Sequence, residues 1–373
     1  MKSHIIIQPT TLSKTASKQH PQAFDRDHCF ICGKSLTSKQ NDTDETVSKS
    51  TKEHIFPKWM LKNAGIFNTN ITYYNGQLNK YNRITIPSCK QCNGIDYSQI
   101  ESKIRTTFTV GYDSVIKLPE EILFIWLCKI HYGLRFYEAT QKYYDKESNE
   151  TKARITKEAI EELYFEHLYL QIPSNRAEFE EGATLPGSIH IYKCLKSEEY
   201  PELNFDYCEI QESRTISLRY NDVGIIAFLD DFGFTKRTTP DFLKINNNHK
   251  LHPTQFRELY ARSVLFSESI THTGKLLLSK TKARLTITPL LMGSILHNQH
   301  IDLQRLATLL QQLWQCDIED IYNKKEHTIT STLIQNDHPS IHYENILTLI
   351  PPRQNPNTYL WPFHNQHHLL EDR

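Results

Sequence analysis

Four of the eight cysteines fall into two pairs of identical spacing, Cys29-x2-Cys32 and Cys89-x2-Cys92. Two C-x2-C pairs can supply the four thiolates of a closed tetrahedral zinc site, in which each pair forms a knuckle. Gly33 follows the first pair and suits the tight turn that a knuckle needs. A redox role for either pair is the alternative, although no βαβ pattern surrounds them. The spacing therefore predicts a structural Zn²⁺ held by all four cysteines.

A second group of reactive residues lies between the two cysteine pairs. Glu53 and His54 are adjacent there, with Pro57 shortly after them. Histidine suits general base catalysis near neutral pH, and a carboxylate is a hard oxygen ligand for Mg²⁺ or Mn²⁺. Neighbouring residues of a strand point to opposite faces, so both side chains can serve one site only where the strand ends. Pro57 favours such an ending because proline cannot donate a ladder hydrogen bond.

The order of these motifs carries more information than any one of them. A C-x2-C pair is followed by Glu53-His-Ile-x-Pro57, by the alternating run 83–88, and by Cys89-x2-Cys92-Asn93 at the start of a helical pattern. This order resembles the HNH endonuclease family of ββα-metal (His-Me finger) nucleases over roughly residues 27–106, less than a third of the chain. The resemblance implies a metal-dependent endonuclease that hydrolyses phosphodiester bonds, with DNA favoured over RNA. It also suggests a setting in restriction or anti-phage defence.

Residue roles follow from the resemblance. His54 matches the general base, and Glu53 and Asn93 match ligands of a catalytic Mg²⁺ or Mn²⁺. Asn93 follows the second cysteine pair directly, where it would also serve as a helix N-cap. The position of the family's middle Asn, which orients the catalytic histidine, holds Ile84 here. Asn82 is the nearest candidate for this orienting role, and a backbone carbonyl is the alternative.

Basic residues surround the Glu-His pair. Lysine and arginine side chains supply most phosphate contacts in nucleic-acid complexes. Five of them are therefore predicted to contact nucleic acid: Lys52, Lys58, Lys62, Arg83 and Lys90.

The elements that must position these residues suggest three parts. Residues 1–26 are an N-terminal extension, residues 27–110 form the HNH nuclease domain with its four-cysteine zinc site, and residues 111–373 form a larger mixed α+β body. In the body, Pro119-Glu-Glu begins a helix that is apolar over most of its circumference, and a charged stretch over 141–154 indicates an exposed loop or linker. After Ser188 the pattern changes to short strands, with further helices near the C-terminus. The predicted class is α+β.

The charge distribution separates the same parts. The chain has 43 Lys+Arg and 43 Asp+Glu, a formal net charge of zero. Residues 1–110 hold 15 basic and 8 acidic residues, so they carry +7 and the remainder carries −7. A basic head of this kind favours a polyanionic partner. The acidic body has no catalytic motif and is expected to be regulatory, to select targets, or to form a homo-oligomer or bind a regulatory protein through residues 111–373.

The hydropathy pattern leads us to expect neither a membrane-spanning nor a secreted protein. The most apolar run, 122–128, is far shorter than the ~20 residues of a membrane-spanning helix, and the first residues lack the apolar core of a secretory leader. A cytoplasmic protein is expected.

Two alternatives to the nuclease are a zinc-finger adaptor that binds nucleic acid or protein without cleaving, and a chain whose function lies in the body. An adaptor would not need a general base beside a hard metal ligand.

Overall fold

A computed structural model describes residues 4–7, 26–37, 47–72, 78–145, 150–153, 163–198, 200–210, 213–245, 249–280, 284–296, 302–314, 316–333 and 358–359. Helices and strands alternate irregularly along these ranges, which confirms the α+β class. None of the helices in these ranges is long and apolar enough to cross a lipid bilayer.

The N-terminal part is built of short strands and helices. In chain order its elements are β1 (His4–Ile7), β2 (Ser35–Thr37), β3 (Val47–His54), α1 (Lys58–Asn63), β4 (Asn70–Thr72), β5 (Leu78–Lys80), β6 (Thr85–Cys89), a π-helical turn (Cys92–Asp96), α2 (Tyr97–Val110) and α3 (Tyr112–Val115). β3 pairs with β6 in antiparallel register, with Glu53 opposite Ile86 and His54 opposite Thr85. Two antiparallel strands followed by a helix therefore surround the Glu-His pair.

The second part begins with a helix of 21 residues. Its elements are α4 (Glu120–Thr140), β7 (Lys142–Asp145), β8 (Glu150–Ala153), α5 (Tyr164–Tyr169), β9 (Ala177–Phe179), β10 (Ser188–Lys193), β11 (Phe205–Ile210), β12 (Thr215–Tyr220), β13 (Val223–Phe228), α6 (Phe234–Thr238), α7 (Pro253–Glu268), β14 (Ile270–Lys280), β15 (Leu285–Leu296), α8 (Leu303–Trp314), α9 (Ile318–Ile321), β16 (Tyr322–Asn323), β17 (Thr328–Ile329) and β18 (Thr358–Tyr359).

Two four-stranded sheets organise this second part. Their strand orders are β10-β13-β12-β11, which is antiparallel throughout, and β1-β14-β15-β9. β1, near the N-terminus, thus pairs with β14 and forms one edge of this sheet. The antiparallel sheet packs against α7 and α8 around a second apolar core that includes Phe256, Leu310 and Trp314.

α4 lies at the centre of the molecule. It begins after Pro119 with two glutamates in its first turn, where negative charge complements the helix dipole. Its residues from Leu123 to Glu138 are all buried. Gly133 allows the close approach to the strands below, because a Cβ there would lie 3.2 Å from the Ile86 Cδ1 atom. The prediction of a helix apolar over most of its circumference matches this central position.

One hydrophobic core joins the two predicted parts. It includes Phe30 and Ile86 from the head, Trp126 from α4 and Ile287 from β15. The packing therefore crosses the boundary that the sequence suggests at residue 110.

Two local predictions need correction. The stretch 141–154 contains the paired strands β7 and β8 instead of an open loop. Asn93 is not an N-cap, because it lies inside the π-helical turn that leads into α2.

Candidate functional site

The four predicted zinc ligands come together. The sulfur atoms of Cys29, Cys32, Cys89 and Cys92 all lie within 4.8 Å of one another. Cys32 Sγ and Cys89 Sγ are 3.8 Å apart. A tetrahedron with Zn–S bonds of ~2.3 Å has sulfurs separated by about 3.8 Å, which matches the distance between Cys32 Sγ and Cys89 Sγ. The four-cysteine group could therefore hold a structural metal ion such as Zn²⁺.

Local backbone geometry forms the first knuckle. Gly33 has φ +67°, a conformation that glycine adopts without strain, and its N–H donates to the Cys29 carbonyl over 2.8 Å. The turn returns the chain towards β2 and leaves the first two sulfurs facing the second pair. Ser88, which precedes that pair, lies with its Oγ 3.7 Å from Cys29 Sγ.

A side chain from the second part also reaches the cysteine cluster. Arg176 Nη2 lies 3.9 Å from Cys92 Sγ, and Arg176 Nη1 donates to Gln171 Oε1 over 3.1 Å. Burial tends to lower the pKa of Arg176, but Cys92, Cys32 and Asp96 together reverse this effect and raise the pKa. The arginine stays charged and offsets part of the negative charge that four thiolates would bring.

His54 ends strand β3 and is half-buried. Its Nε2 lies 3.2 Å from the backbone carbonyl oxygen of Asn82. A carbonyl can only accept, so Nε2 carries the hydrogen and the neutral ring has its lone pair on Nδ1. The ring also stacks on Phe67, with centroids 6.3 Å apart. These contacts fix both the tautomer and the orientation of a potential base.

The same environment keeps His54 unprotonated. Burial lowers the pKa of His54 to about 4, with a further contribution from the positive charge of Lys58, while the Asn82 carbonyl opposes the shift. At neutral pH the imidazole is therefore in the form that can accept a proton.

The Asn82 side chain does not orient His54. Its amide nitrogen donates instead to Asn68 Oδ1 over 2.7 Å. Asn79 donates to the hydroxyl of Tyr137 over 2.8 Å. The orienting contact comes from the Asn82 backbone, because the 3₁₀ turn Tyr81–Arg83 brings that carbonyl next to the end of β3.

Glu53 is bound by a residue that sequence reasoning missed. The ammonium of Lys129, on α4, forms an ion pair with Glu53 Oε1 and a second one, of 2.8 Å, with Glu101 Oε1. Lys129 is 1% exposed and lies over the ring of Tyr97. Burial lowers the pKa of Lys129, yet Glu101 and Glu53 reverse the shift and raise it. Burial raises the pKa of Glu53, against the opposing effect of Lys129.

Asn93 has a defined amide orientation. Its Nδ2 donates to Thr51 Oγ1 over 3.1 Å, and that hydroxyl donates in turn to the Ser88 carbonyl over 2.8 Å. Because the Thr51 hydrogen is already used, the hydroxyl must accept from the amide nitrogen. The Asn93 Oδ1 atom is thereby turned away from Thr51 and can serve as an oxygen ligand.

An open cavity brings these groups together. Its volume is about 740 Å³, and its lining includes Glu53, His54, Asn93 and Glu101. Four basic side chains also line it: Lys52, Lys58, Lys62 and Arg105. All four of these cations are exposed, so they can meet a ligand from solvent.

Two predicted nucleic-acid contacts lie elsewhere. Arg83 and Lys90, both in the described part of the chain, are exposed, but neither is among the residues that line the cavity. Arg105, which sequence reasoning did not select, takes a place there because α2 runs along the cavity. The sequence does hold one signal for Lys129. This lysine lies within the apolar run 122–134, and a charge that is buried there requires a partner.

Comparison of the chain with family models, curated proteins and solved structures finds no match. The arrangement of side chains in the cavity and the cysteine cluster are therefore the grounds on which a function can be argued.

Proposed function

We propose that the chain is a metal-dependent endonuclease of the HNH type that hydrolyses phosphodiester bonds in nucleic acid, DNA in preference to RNA. The observation that carries this proposal is the neutral His54 imidazole beside Glu53 in a cavity with four basic side chains. A phosphodiester substrate needs a base, positive charge around the phosphate, and a rigid support for both. The resemblance of the motif order to HNH nucleases supports the same reaction.

His54 is the proposed general base. Nδ1 accepts the proton of a water molecule as that water attacks phosphorus, while Nε2–H stays bonded to the Asn82 carbonyl. The positive charge of Lys58 contributes to the low pKa of His54. A phosphate group next to Lys58 would offset that charge, so substrate binding raises the basicity of the ring when it is needed.

Glu53 and Asn93 are the proposed ligands of a catalytic Mg²⁺ or Mn²⁺. Both are oxygen donors that line the same cavity as His54, which fits the preference of hard cations for oxygen. Such an ion, when bound, supplies positive charge for the phosphorane and the leaving oxygen. Glu53 contributes the carboxylate, and the hydrogen bond to Thr51 holds the Asn93 amide in the ligating orientation.

The basic rim is proposed to bind the phosphate backbone. Lys52 lies on β3, Lys58 and Lys62 lie on α1, and Arg105 lines the same cavity from α2. Cations from three different elements can hold the phosphates on either side of the reacting one. Such contacts position the backbone without selecting a base sequence.

Cleavage of supercoiled plasmid DNA and of single-stranded RNA, with Mg²⁺ or Mn²⁺, tests the proposal. His54→Ala should lose cleavage by roughly 10²- to 10⁴-fold, the usual contribution of a general base. His190→Ala is the matched control, because burial also lowers the pKa of this histidine to about 4 while its ring bonds Thr235 away from the cavity. Equal cleavage by wild type and His54→Ala would refute the base. Tight binding without any cleavage would favour the adaptor.

A further inference from the structure

The ion pairs of Lys129 give this residue a place in the centre that the proposed function does not assign. We propose, on the basis of that function, that Lys129 is a positioning residue that holds the Glu53 carboxylate in place to bind the divalent ion.

The two carboxylate oxygens of Glu53 differ in their contacts. Lys129 is paired with Oε1, so Oε2 stays available to a ligand in the cavity that Glu53 lines. A glutamate side chain otherwise rotates about several bonds, and an ion must then bear the entropy of ordering it. An anchored carboxylate is ordered before the ion arrives.

The position of Lys129 makes the anchor rigid. The side chain emerges from the buried centre of α4, is 1% exposed, and is held by Glu101 as well as Glu53. Glu101 is itself fixed, because its Oε1 accepts a hydrogen bond of 3.3 Å from Trp126 Nε1. The network therefore connects the cavity to the core of the molecule through α4.

Charge balance alone is a weaker explanation of the arrangement. Two carboxylates and one ammonium have a net charge of −1, the same as a single glutamate. The core could reach this charge without Lys129 and Glu101, by keeping Glu53 alone. The additional pair is accounted for if its role is to fix where the Glu53 carboxylate lies.

A charge-matched double variant of the full chain separates positioning from charge balance. Glu101→Gln/Lys129→Met keeps the net charge of −1 and nearly the same volume, but leaves Glu53 without its anchor. Binding of Mn²⁺ without substrate is measured by calorimetry, alongside thermal unfolding and the kcat and KM of plasmid cleavage. We expect a folded variant whose Mn²⁺ affinity is weaker by roughly 3- to 10-fold, the cost of ordering one side chain, with kcat lowered and KM little changed.

Two single variants serve as controls. Glu101→Gln retains the Lys129–Glu53 pair, so it should lose less Mn²⁺ affinity than the double variant even though it removes one negative charge from the cavity. Lys236→Met removes another lysine–glutamate pair of α4, with Glu120, and should also leave Mn²⁺ binding unchanged. If the double variant is unfolded, Glu101→Gln/Lys129→Gln replaces it, because a polar amide is tolerated in this polar cluster while the ion pair that anchors Glu53 is still lost; it should bind Mn²⁺ more weakly than Glu101→Gln alone.

Wild-type Mn²⁺ affinity in the folded double variant, or in the glutamine variant that replaces it, would overturn the proposal. So would an equal loss in Glu101→Gln, since the charge of Glu101 would then explain the effect. His54→Ala is titrated in parallel and should bind Mn²⁺ like the wild type. The cleavage assay tests the proposed nuclease function, which would be refuted if His54→Ala cleaved DNA as fast as the wild type. The Mn²⁺ titration tests the role of Lys129 separately.

Discussion

The ammonium of Lys129 pairs with the carboxylate of Glu53, a residue 76 positions earlier in the chain. Lys129 lies on α4, beyond the boundary that the sequence suggests at residue 110. The cavity is therefore supported by a helix from the second part of the chain. Breaking a buried ion pair by removing one partner is costly because the remaining charge is left without compensation. Variants of Glu53 are accordingly expected to lose stability as well as any activity.

Elemental analysis should find about one zinc ion per chain, bound by the four cysteines. Cys92→Ser should lose the metal and lower the melting temperature markedly, because structural zinc contributes several kcal/mol to folding. Cys316→Ser is the matched control, since this solitary half-buried thiol lies outside the cluster. A folded wild-type protein without zinc would contradict the assignment.

Asn82→Ala and Asn93→Ala should behave differently. Asn82→Ala removes only the side-chain hydrogen bond to Asn68 and keeps the backbone carbonyl of residue 82. Cleavage should therefore fall by less than about 3-fold, the free-energy contribution of one exposed hydrogen bond. Asn93→Ala removes a proposed ion ligand and should lower cleavage at least roughly 10-fold, as loss of ligand contacts commonly does. Steady-state cleavage rates over a Mg²⁺ titration distinguish the two. Similar losses in both variants would argue against the backbone contact as the orienting one.

Arg105→Ala should weaken DNA binding more than Arg83→Ala. Arg105 lines the cavity and Arg83 does not, although both side chains are exposed. Loss of one phosphate contact lowers the slope of log affinity against log salt by about 1. Binding of a labelled duplex by the cleavage-deficient His54→Ala protein, measured over a range of salt, gives both slopes. A steeper loss in Arg83→Ala would place the DNA path outside the cavity.

Stability should fall as the pH drops from about 6.5 to about 4. His252 caps α7, where its Nδ1 accepts from the Thr254 N–H over 3.2 Å, and burial, assisted by Arg219 and Arg257, lowers its pKa to about 4. An unfolded histidine titrates near ~6.5, so between these values the unfolded state binds the extra proton and gains stability relative to the folded state.

Urea unfolding at several pH values measures this effect. The free energy of unfolding of the wild type should decrease by roughly 1 to 3 kcal/mol more than that of His252→Asn between pH 7 and pH 4.5. Asparagine retains a capping oxygen but cannot titrate, which makes it a matched replacement. Carboxyl groups with raised pKa values, such as Asp231, act in the opposite direction in both proteins and cancel in the comparison. Parallel pH profiles would show that His252 does not contribute.

Sequence patterns identified the elements whose signal is local. Identical C-x2-C spacing selected the four cysteines that the structure brings together, and the apolar run after Pro119 marked α4. Within the sheet of β10 to β13, the strands β10 and β12 alternate polar and apolar residues and β13 is a short apolar run, and both patterns can be read along the chain. The paired strands β7 and β8 were missed because most of their residues are polar, so no alternation of apolar and polar residues marks them in the sequence.

Residue type and order alone determined that this chain has a cysteine cluster, an adjacent acid and histidine, and a basic N-terminal third. Tertiary structure decided that the His54 ring is held by a carbonyl, that Glu53 is anchored by Lys129, and that Arg105 joins the cavity while Arg83 does not. The physical reason is that a backbone carbonyl has no signature in sequence. The ion pairs of Lys129 join residues far apart in the chain, so they form only when packing of the core brings α4 next to the cavity, where this buried charge meets both Glu53 and Glu101.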